Sequence, residues 1–417
     1  MRGSTAGLPD TVIQGYNASY YTFLTILDTL FAFFVLCPCV VAYWRGAWGL
    51  MDIYLADYSL FYNGLISLGI GLFGHCVFMC FQKVFEEKFH PDKNRILYYV
   101  VSRLYTVCFA FTCVNGWRGP WEFLYIPYKS DVKSISATTG VGIVALLAMR
   151  GLRNVTAPPF VIVNDSVKGY FEVPTLFRTP MEERKSLFVL DCLFSIAVVG
   201  TLVVFVWRGV WLLVDLFLFP EDLVFSYWCS LVIGYACVAI AFLLQPVMRY
   251  LCERLTGAAR LLLADLYTLF ALFGTVNVWR GIWSLLNVYF LPDNLELSCW
   301  ITHWVSLIIL ILCRCSNSLL VRGVYIDAEE PGGECAIFPC YYLRIILRKK
   351  KLKKLNLNAF TLNDTLKVHQ KDGDPQINSY DTLKVHQKDG DPQNNHVINI
   401  NTISNTVEGN NDLKVPT

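Results

Sequence analysis

The feature that most constrains this chain is the collection of its apolar residues into long blocks. An α-helix needs about 20 apolar residues to cross ~30 Å of hydrocarbon. Only 16% of the residues are charged, against about 25% in a typical soluble domain. The sequence therefore predicts an all-α fold, a polytopic transmembrane bundle of about eight spans. The predicted spans are approximately 20–43, 59–81, 96–116, 132–149, 187–206, 223–245, 261–278 and 297–315, and the fourth is the weakest.

A short motif, Trp-Arg-Gly-x-Trp, closes every odd-numbered block and predicts four copies of a two-helix hairpin. It accounts for eight of the 11 tryptophans. The copies are Trp44-Arg45-Gly46-Ala47-Trp48, Trp117-Arg118-Gly119-Pro120-Trp121, Trp207-Arg208-Gly209-Val210-Trp211 and Trp279-Arg280-Gly281-Ile282-Trp283.

The four copies also pair off. The first and third share Leu-Asp at Leu27-Asp28 and Leu190-Asp191, at the same distance before each motif. The interval from the first motif to the third is one position longer than the interval from the second to the fourth. A duplicated four-helix unit explains this spacing, and each unit has an even number of spans. The prediction is therefore two parallel four-helix halves related by an axis along the membrane normal.

Each residue type of the motif has a physical role at a membrane interface. Tryptophan suits the boundary between water and hydrocarbon, and glycine permits close helix approach. The arginine can snorkel to lipid phosphate or pair with an acid, and Asp52, Asp215 and Asn287 follow the first tryptophan by eight positions. Three interpretations remain open: an anchor that fixes hairpin geometry, a ligand site made by four converging arginines, and a docking surface for a partner.

Four charged residues lie within or near the ends of the apolar blocks, at Asp28, Arg103, Asp191 and Asp265. A charge at the centre of a spanning helix costs about 2.5–3.5 kcal/mol on insertion scales, so such residues usually face protein or water. Arg103 and Asp265 occupy equivalent places in their copies, because each precedes its motif tryptophan by the same interval. One hypothesis is an ion pair between the two repeats, and the alternative is that both side chains snorkel to the membrane surface.

Basic residues concentrate in alternate loops, which predicts by the positive-inside rule that both termini are cytoplasmic and the motifs lie outside. The expected segments are a cytoplasmic N-terminal segment (1–19), a first half (20–150), a cytoplasmic linker (151–186), a second half (187–315), a juxtamembrane segment (316–355) and a disordered tail (356–417) that carries a tandem repeat of period 17 (381 − 364). Two glycosylation sequons, at Asn154 and Asn164, fall on the side assigned to the cytoplasm and would be acceptors if that side were lumenal.

The juxtamembrane segment is expected to be a basic amphipathic stretch that lies on anionic lipid. Its predicted membrane-surface bases are Arg344, Arg348, Lys349, Lys350, Lys351, Lys353 and Lys354.

Several classes of function lack their signatures in this sequence. There is no phosphate-binding Gly-x-x-x-x-Gly-Lys loop, no His-Glu-x-x-His and no Gly-x-Ser-x-Gly, so neither catalysis nor a metal or other cofactor is expected. A net charge of +2 gives no overall attraction to nucleic acid. Most of the 15 cysteines fall inside apolar blocks, where they act as small apolar residues.

The layout from about 20 to 315 with its four Trp-Arg-Gly motifs resembles the fuseless family of animal membrane proteins. The resemblance implies a plasma-membrane protein of presynaptic terminals that organises voltage-gated calcium channels at active zones and supports vesicle release. Membrane lipid, and by resemblance a voltage-gated calcium channel or active-zone proteins, are the expected partners.

Two functions of different classes therefore stay open. One is a non-enzymatic membrane organiser, and the other is a small-solute transporter or channel whose path the four intramembrane charges line. A packed interior favours the first, and a water-accessible cavity lined by those charges favours the second. A weaker third possibility is lipid or sterol binding by the aromatic motif layer.

Overall fold

A computed structural model describes residues 18–125, 131–347 and 350 of the chain. The all-α prediction is confirmed, since the regular elements in these ranges are helices without a strand. Among the described residues, seven helices are long and apolar enough to cross a membrane, and a further apolar helix has only 17 residues. The seven are Thr22–Tyr54, Leu60–Cys80, Arg95–Phe123, Lys185–Phe217, Leu223–Arg254, Gly257–Tyr289 and Leu295–Leu312, and the shorter one is Val132–Ala148.

Two of the long helices contain a π-helical turn, at Ala32–Leu36 and Ser195–Gly200. The interval between the starts of these turns equals the interval between the first and third motifs. In chain order the α-helices are α1 (Ala18–Phe31), α2 (Cys37–Tyr54), α3 (Leu60–Cys80), α4 (Gln82–Lys88), α5 (Arg95–Phe123), α6 (Val132–Ala148), α7 (Lys185–Phe194), α8 (Thr201–Phe217), α9 (Leu223–Arg254), α10 (Gly257–Tyr289) and α11 (Leu295–Leu312).

The helices fall into two classes. The motif helices α2, α5, α8 and α10 carry the Trp-Arg-Gly-x-Trp sequences, and the return helices α3, α6, α9 and α11 follow them. Polar caps start two of the return helices: Asp222 accepts a hydrogen bond from Phe225 N and Asn294 accepts one from Leu297 N, both at 3.0 Å. These caps satisfy N–H groups that have no partner within the helix.

The four motif helices surround a common axis in chain order, from α2 through α5 and α8 to α10 and back to α2. Each motif helix packs most extensively against the return helix of the preceding copy: α5 on α3, α8 on α6, α10 on α9, and α2 on α11. The last of these contacts joins the first motif helix to the final return helix. The described residues from 18 to 347 belong to one compact unit. The arrangement of the predicted segments 20–150 and 187–315 as two parallel four-helix halves stays a prediction.

The motif glycines lie where these helix pairs meet. A Cβ atom on Gly46 would lie 2.6 Å from Cys299 O, and one on Gly119 would lie 2.7 Å from Leu68 N. Gly209 lies against Thr139 and Gly281 against Leu231 in the same way. Atoms at these distances overlap, so only glycine permits each motif helix to approach its return helix this closely.

Two largely non-helical segments, 149–184 and 313–347, pack into the interior of the ring. Their apolar side chains are buried in the same core as the motif helices, Phe160 and Leu319 among them. The sequence predicted a linker at 151–186 and a lipid-surface segment at 316–355. Where these residues are described, many of their side chains are buried in the core instead, and their side of the membrane stays a prediction. Short helical turns at Leu152–Val155, Ser316–Leu319 and Gly332–Ala336 help to fold these segments inward.

Arg344 was expected on the membrane surface, and this expectation is wrong. Its guanidinium is buried and donates through Nε to Asp28 Oδ2 at 2.6 Å. The two buried groups compensate each other's charge, which neither could do alone away from water. Of the basic residues that follow, Lys350 is exposed. Arg348, Lys349, Lys351, Lys353, Lys354, the tail from 356 and most of the N-terminal segment lie outside the described residues.

Candidate functional site: a cage of tryptophans

The first tryptophans of the four motifs form a closed ring around the axis, called here the inner ring. Neighbouring indole centroids are 5.3–5.8 Å apart and neighbouring planes meet at 74–80°. Such edge-to-face pairs are a favoured arrangement of aromatic side chains. The members of the inner ring, in order, are Trp44, Trp117, Trp207 and Trp279.

The second tryptophans form an outer ring four positions further along the same helices. Their centroids are 5.7–6.1 Å apart and their planes meet at 83–85°. Residues four apart lie on one face of a helix, so each motif places both of its indoles toward the axis. The members of the outer ring are Trp48, Trp121, Trp211 and Trp283, and all four are partly exposed.

The two rings, together the tryptophan cage, enclose a cavity of about 170 Å³ that is lined only by these eight side chains. In each ring every indole is close to perpendicular to both neighbours. The first tryptophans pack together at one level and the second tryptophans at another. The four motif helices therefore run in the same direction.

The non-helical segments hold the inner ring in place through the indole N–H groups. Trp44 donates to Leu319 O at 3.1 Å, and Trp207 donates to Val155 O at 2.8 Å. Trp279 donates to Pro158 O at 2.8 Å. Buried N–H groups need such partners. The three hydrogen bonds fix the rotation of the indoles and hold the two segments against the inner ring.

The motif arginines do not converge on a ligand. Each points away from the axis and contacts the residue eight positions after the first tryptophan of the preceding copy. Arg118 donates to Asp52 and Arg280 to Asp215, both at 2.6 Å. The two remaining arginines have neutral partners at this position: Arg45 donates to Asn287 Oδ1 at 2.6 Å, and Arg208 lies over the Tyr125 ring at 4.3 Å from its centroid.

Polar groups on the return helices complete the coordination of three arginines. Arg45 also donates to Ser298 Oγ at 3.0 Å, and Arg280 donates to Ser226 Oγ at 2.9 Å. Arg208 differs, because its Nε is buried without a hydrogen-bond partner among the described residues. Each motif arginine contacts a residue of the preceding copy. The four arginines therefore link the four hairpins in a closed ring of contacts.

A family model described as Fuseless matches residues 23–320. The chain belongs to the fuseless family. No curated protein and no solved structure matches the chain significantly. The matched range includes all four motifs and the eight tryptophans of the cage.

Three of the four intramembrane charges of this fuseless chain bind the two interior segments rather than each other. Arg103 forms an ion pair with Asp165 and donates to Ser316 Oγ at 2.7 Å. The hypothesis that Arg103 pairs with Asp265 is therefore wrong. Asp265 is buried in α10 within electrostatic range of Asp327 and Arg150.

Asp28 and Asp191 hold equivalent parts of the interior segments. Asp28 accepts hydrogen bonds from Arg344 and from the backbone of Leu343. Asp191 accepts from Thr175 Oγ1 at 2.7 Å and from Thr179 N at 3.1 Å. Each aspartate thus anchors an otherwise irregular chain segment to the helix that leads into a motif.

Two aspartates that the sequence interpretation did not single out form hydrogen bonds between the two interior segments. Asp165 accepts from Asn317 N at 2.9 Å, and Asp327 accepts from Leu152 N at 2.8 Å. Burial raises the pKa of the Asp327 carboxyl, although its backbone N–H partners favour the charged form. The interval between these two aspartates equals the interval between the second and fourth motifs. That spacing in the sequence could have identified them as equivalent residues of the duplicated unit.

Asn154, one of the two sequon residues within the interior segments, is buried. It donates to Gly151 O at 2.8 Å and to Tyr325 O at 2.9 Å. An amide engaged in this way is not accessible to a glycosylating enzyme in the folded protein. The other sequon residue, Asn164, donates to Tyr341 O at 2.7 Å.

Proposed function

We propose that this fuseless-family protein is a non-enzymatic membrane organiser of the presynaptic plasma membrane. In this role it positions voltage-gated calcium channels at active zones and supports vesicle release. Family membership supports the proposal. One observation favours an organiser over a transporter. Three of the four intramembrane charges form ion pairs or hydrogen bonds with the interior segments, so they are not free to line a path for a solute.

The packing gives a solute little room along the axis. Asp28, Arg103, Asp191 and Asp265 line neither the tryptophan cavity nor a cavity of about 60 Å³ beneath Trp117. A wider cavity of about 620 Å³ is bounded mainly by α4 and by the first interior segment, and it too excludes the four charges. A transporter that used these charges as a path would need both interior segments to leave the core.

The proposed topology has eight spans with both termini in the cytoplasm and the tryptophan cage near the opposite surface. The short helix α6 has 17 residues, which at 1.5 Å per residue gives about 26 Å, slightly less than the ~30 Å of hydrocarbon. A modest thinning of the bilayer accommodates such a helix. In this arrangement the basic cluster that begins at Arg348 and the tail reach the cytoplasm, where they can recruit partners.

The test is rescue in neurons that lack their own fuseless protein. Reintroducing the full chain should restore the density of calcium channels at active zones and the amplitude of evoked release. A chain that ends after residue 355 separates the contribution of the tail from that of the membrane unit. If channel density is normal without the protein, while membranes that contain it gain a solute flux, the organiser proposal is wrong and the transporter alternative replaces it.

A further inference from the structure

We infer that the wide cavity between α4 and the interior segments binds a phosphate monoester, with the phosphate group on the guanidinium of Arg322. The inference goes beyond the proposed organising role and does not depend on it.

The cavity has a volume of about 620 Å³, which is within the usual range for sites that hold small molecules. It lies at the end of the helix bundle where α3 ends and α7 begins, because its lining includes residues of α4 and Phe188 of α7. In the proposed topology this is the cytoplasmic end. The exposed charged residues of the lining are Lys83, Glu86, Lys168, Glu172, Arg178 and Glu329.

Arg322 is the lining residue that suggests a ligand. It is only 5% exposed, and its one hydrogen bond among the described residues runs from Nη1 to the carbonyl oxygen of Tyr170. Nε and Nη2 have no hydrogen-bond partner there, and no described carboxylate forms an ion pair with this guanidinium. Both atoms keep access to solvent, in contrast to the sealed Nε atoms of Arg208 and Arg260. Since Arg322 lines the cavity, these donors open into it.

The free edge of this guanidinium has the geometry that oxyanions require. Nε and Nη2 lie on one side of the planar group, and their N–H bonds point in parallel. An oxyanion accepts two hydrogen bonds from such an edge, and these charge-assisted bonds are stronger than neutral ones. A buried charge also needs an opposite charge nearby, because burial removes its water. An oxyanion in the cavity meets both requirements.

A phosphate monoester fits the donors better than a carboxylate or a phosphodiester does. It carries nearly two negative charges at neutral pH and has three acceptor oxygens. Two of these oxygens suit the free edge of Arg322. The third remains for Lys168, which borders the cavity and whose ammonium group has no partner among the described residues. A carboxylate or a diester has one charge and only two such oxygens.

The three carboxylates of the lining oppose an anion less than their number suggests. Glu329 pairs with Arg178 at 3.2 Å. Glu86 and Glu172 are exposed, so water and salt screen their charge. Among the described residues of the lining, Arg322 is the one charged side chain that is buried. It therefore determines which charge is favoured in the depth of the cavity.

The surroundings of the cavity favour a lipid as the source of the phosphate group. Three exposed apolar side chains are each adjacent in the chain to a basic residue of the lining: Val84, Val167 and Phe177, at 38%, 42% and 63% exposure. Apolar side chains beside basic ones are typical of a surface that contacts anionic lipid. Free phosphate in the surrounding water is the other source, and the experiment distinguishes the two.

The first arm compares two anionic lipids, phosphatidic acid, which has a phosphate monoester, and phosphatidylglycerol, which has a diester. The full chain in detergent is titrated with each lipid, and native mass spectrometry counts the bound molecules. Phosphatidic acid should bind at least about fivefold more tightly, because it offers the additional charge and acceptor oxygen. Equal affinities would exclude the lipid as the source.

The second arm uses inorganic phosphate and the full chain in nanodiscs. A ligand that binds the folded state raises Tm, so phosphate should raise Tm in phosphatidylcholine, whereas sodium acetate at the same ionic strength should not. If the lipid occupies the site, nanodiscs with phosphatidic acid abolish this rise, and nanodiscs with phosphatidylglycerol at matched surface charge preserve it. An equal rise in both identifies free phosphate as the source. No rise in any nanodisc, together with equal lipid affinities, would overturn the inference.

A matched pair of buried arginines locates the site. Arg322→Gln removes the free guanidinium edge, so it should abolish both the preference for phosphatidic acid and the rise in Tm. Arg208→Gln is the control: Arg208 is also 5% exposed and also lacks a carboxylate partner, but it lies on α8 outside the cavity lining. That variant should keep both properties. Phosphate binding that survives in a folded Arg322→Gln protein contradicts the assignment to Arg322.

A second pair uses exposed lysines, whose replacement leaves the core intact. Lys168→Gln should weaken phosphate binding severalfold, because Lys168 borders the cavity. Lys88→Gln is the control, since Lys88 is exposed in the last turn of α4 and does not line the cavity. An equal effect of the two lysine variants would mean that phosphate responds only to the general charge of the surface, and the inference would be wrong.

Discussion

A buried guanidinium must have its charge compensated locally, because burial removes the water that would otherwise do so. The four motif arginines occupy equivalent places and solve this problem differently. Arg118 and Arg280 use carboxylates, Arg45 uses an amide and hydroxyls, and Arg208 uses the face of Tyr125. The partner of the arginine can thus be a carboxylate, an amide or an aromatic ring. Its position, eight places after the first tryptophan of the preceding copy, is the same in all four cases.

Changing Tyr125→Asp should stabilise the protein, because it gives Arg208 the carboxylate that its counterparts have at Asp52 and Asp215. The expected gain is about 1 kcal/mol, the net value of a hydrogen bond with a charged partner less the lost ring contact. Thermal unfolding in detergent measures it as a rise in Tm. Tyr125→Phe, which keeps the ring, should change Tm little. A fall in Tm for Tyr125→Asp would mean that the site is too constrained to accept a carboxylate.

Gly119→Ala should destabilise the protein, since the added Cβ would lie 2.7 Å from the backbone nitrogen of Leu68. Overpacking of this kind costs typically about 1–3 kcal/mol. Gly69→Ala is the matched control: Gly69 is also helical, and a Cβ there would meet nothing within 4 Å. That change should be neutral or slightly stabilising because alanine favours helix. Equal Tm values for the two variants would contradict the close contact between α5 and α3.

At the scale of elements, the interior segments are what the sequence predicted least well. Blocks of apolar residues and helix caps are local signals, so the helix starts were predicted to within a few residues. The predicted ends of the four spans that lead into a motif were too early, because each helix continues through the polar motif. The residues of 151–186 and 316–347 carry many charges and turn formers, which are typical of exposed loops. Their burial depends on distant partners such as Arg103 for Asp165 and Asp28 for Arg344, and a single sequence does not reveal which charges meet.

Exchanging charges should identify the true partner of Arg103. Arg103→Asp alone should destabilise by about 2 kcal/mol or more, because two carboxylates would then face each other. Adding Asp165→Arg should recover part of the loss, whereas adding Asp265→Arg should recover none. Unfolding by heat or denaturant in detergent provides the four Tm values. Recovery with Asp265→Arg instead would restore the hypothesis of an ion pair between repeats.

The cysteines of the second interior segment should resist modification. Burial raises the pKa of Cys335 to about 11 and that of Cys340 to about 12, so at pH 7.5 both are protonated and inaccessible. The thiolate is the reactive form. Maleimide labelling mapped by mass spectrometry should find both unmodified in the folded protein and modified after denaturation. A cysteine placed at the exposed Lys168 is the control, and native labelling of Cys340 would contradict the packing.

At the scale of the whole molecule, the fold is a closed circuit of hairpins. The sequence revealed the four copies and their spacing, but not that each motif helix packs on the return helix of the copy before it. The first and last copies meet through α2 and α11, a contact that no short-range pattern in the sequence can predict.

Cutting the chain between Glu183 and Arg184 tests this closure. The fragment 1–183 contains α2 without α11, and the fragment 184–417 contains α11 without α2. Neither fragment should be stable alone, whereas co-expressed fragments should assemble and elute together from a sizing column. A monodisperse 1–183 fragment expressed on its own would show that the four-helix half is an independent unit after all.

The perpendicular indoles of the tryptophan cage also set a limit on how this architecture can change. Rings that each stand at right angles to both neighbours close after four members, so a chain with three or five hairpins could not build the same cage. Copy number is thereby fixed by the geometry of one aromatic residue. Diversity among chains of this kind is then expected in turns and termini, where the long repetitive tail of this protein lies, and not in the number of hairpins.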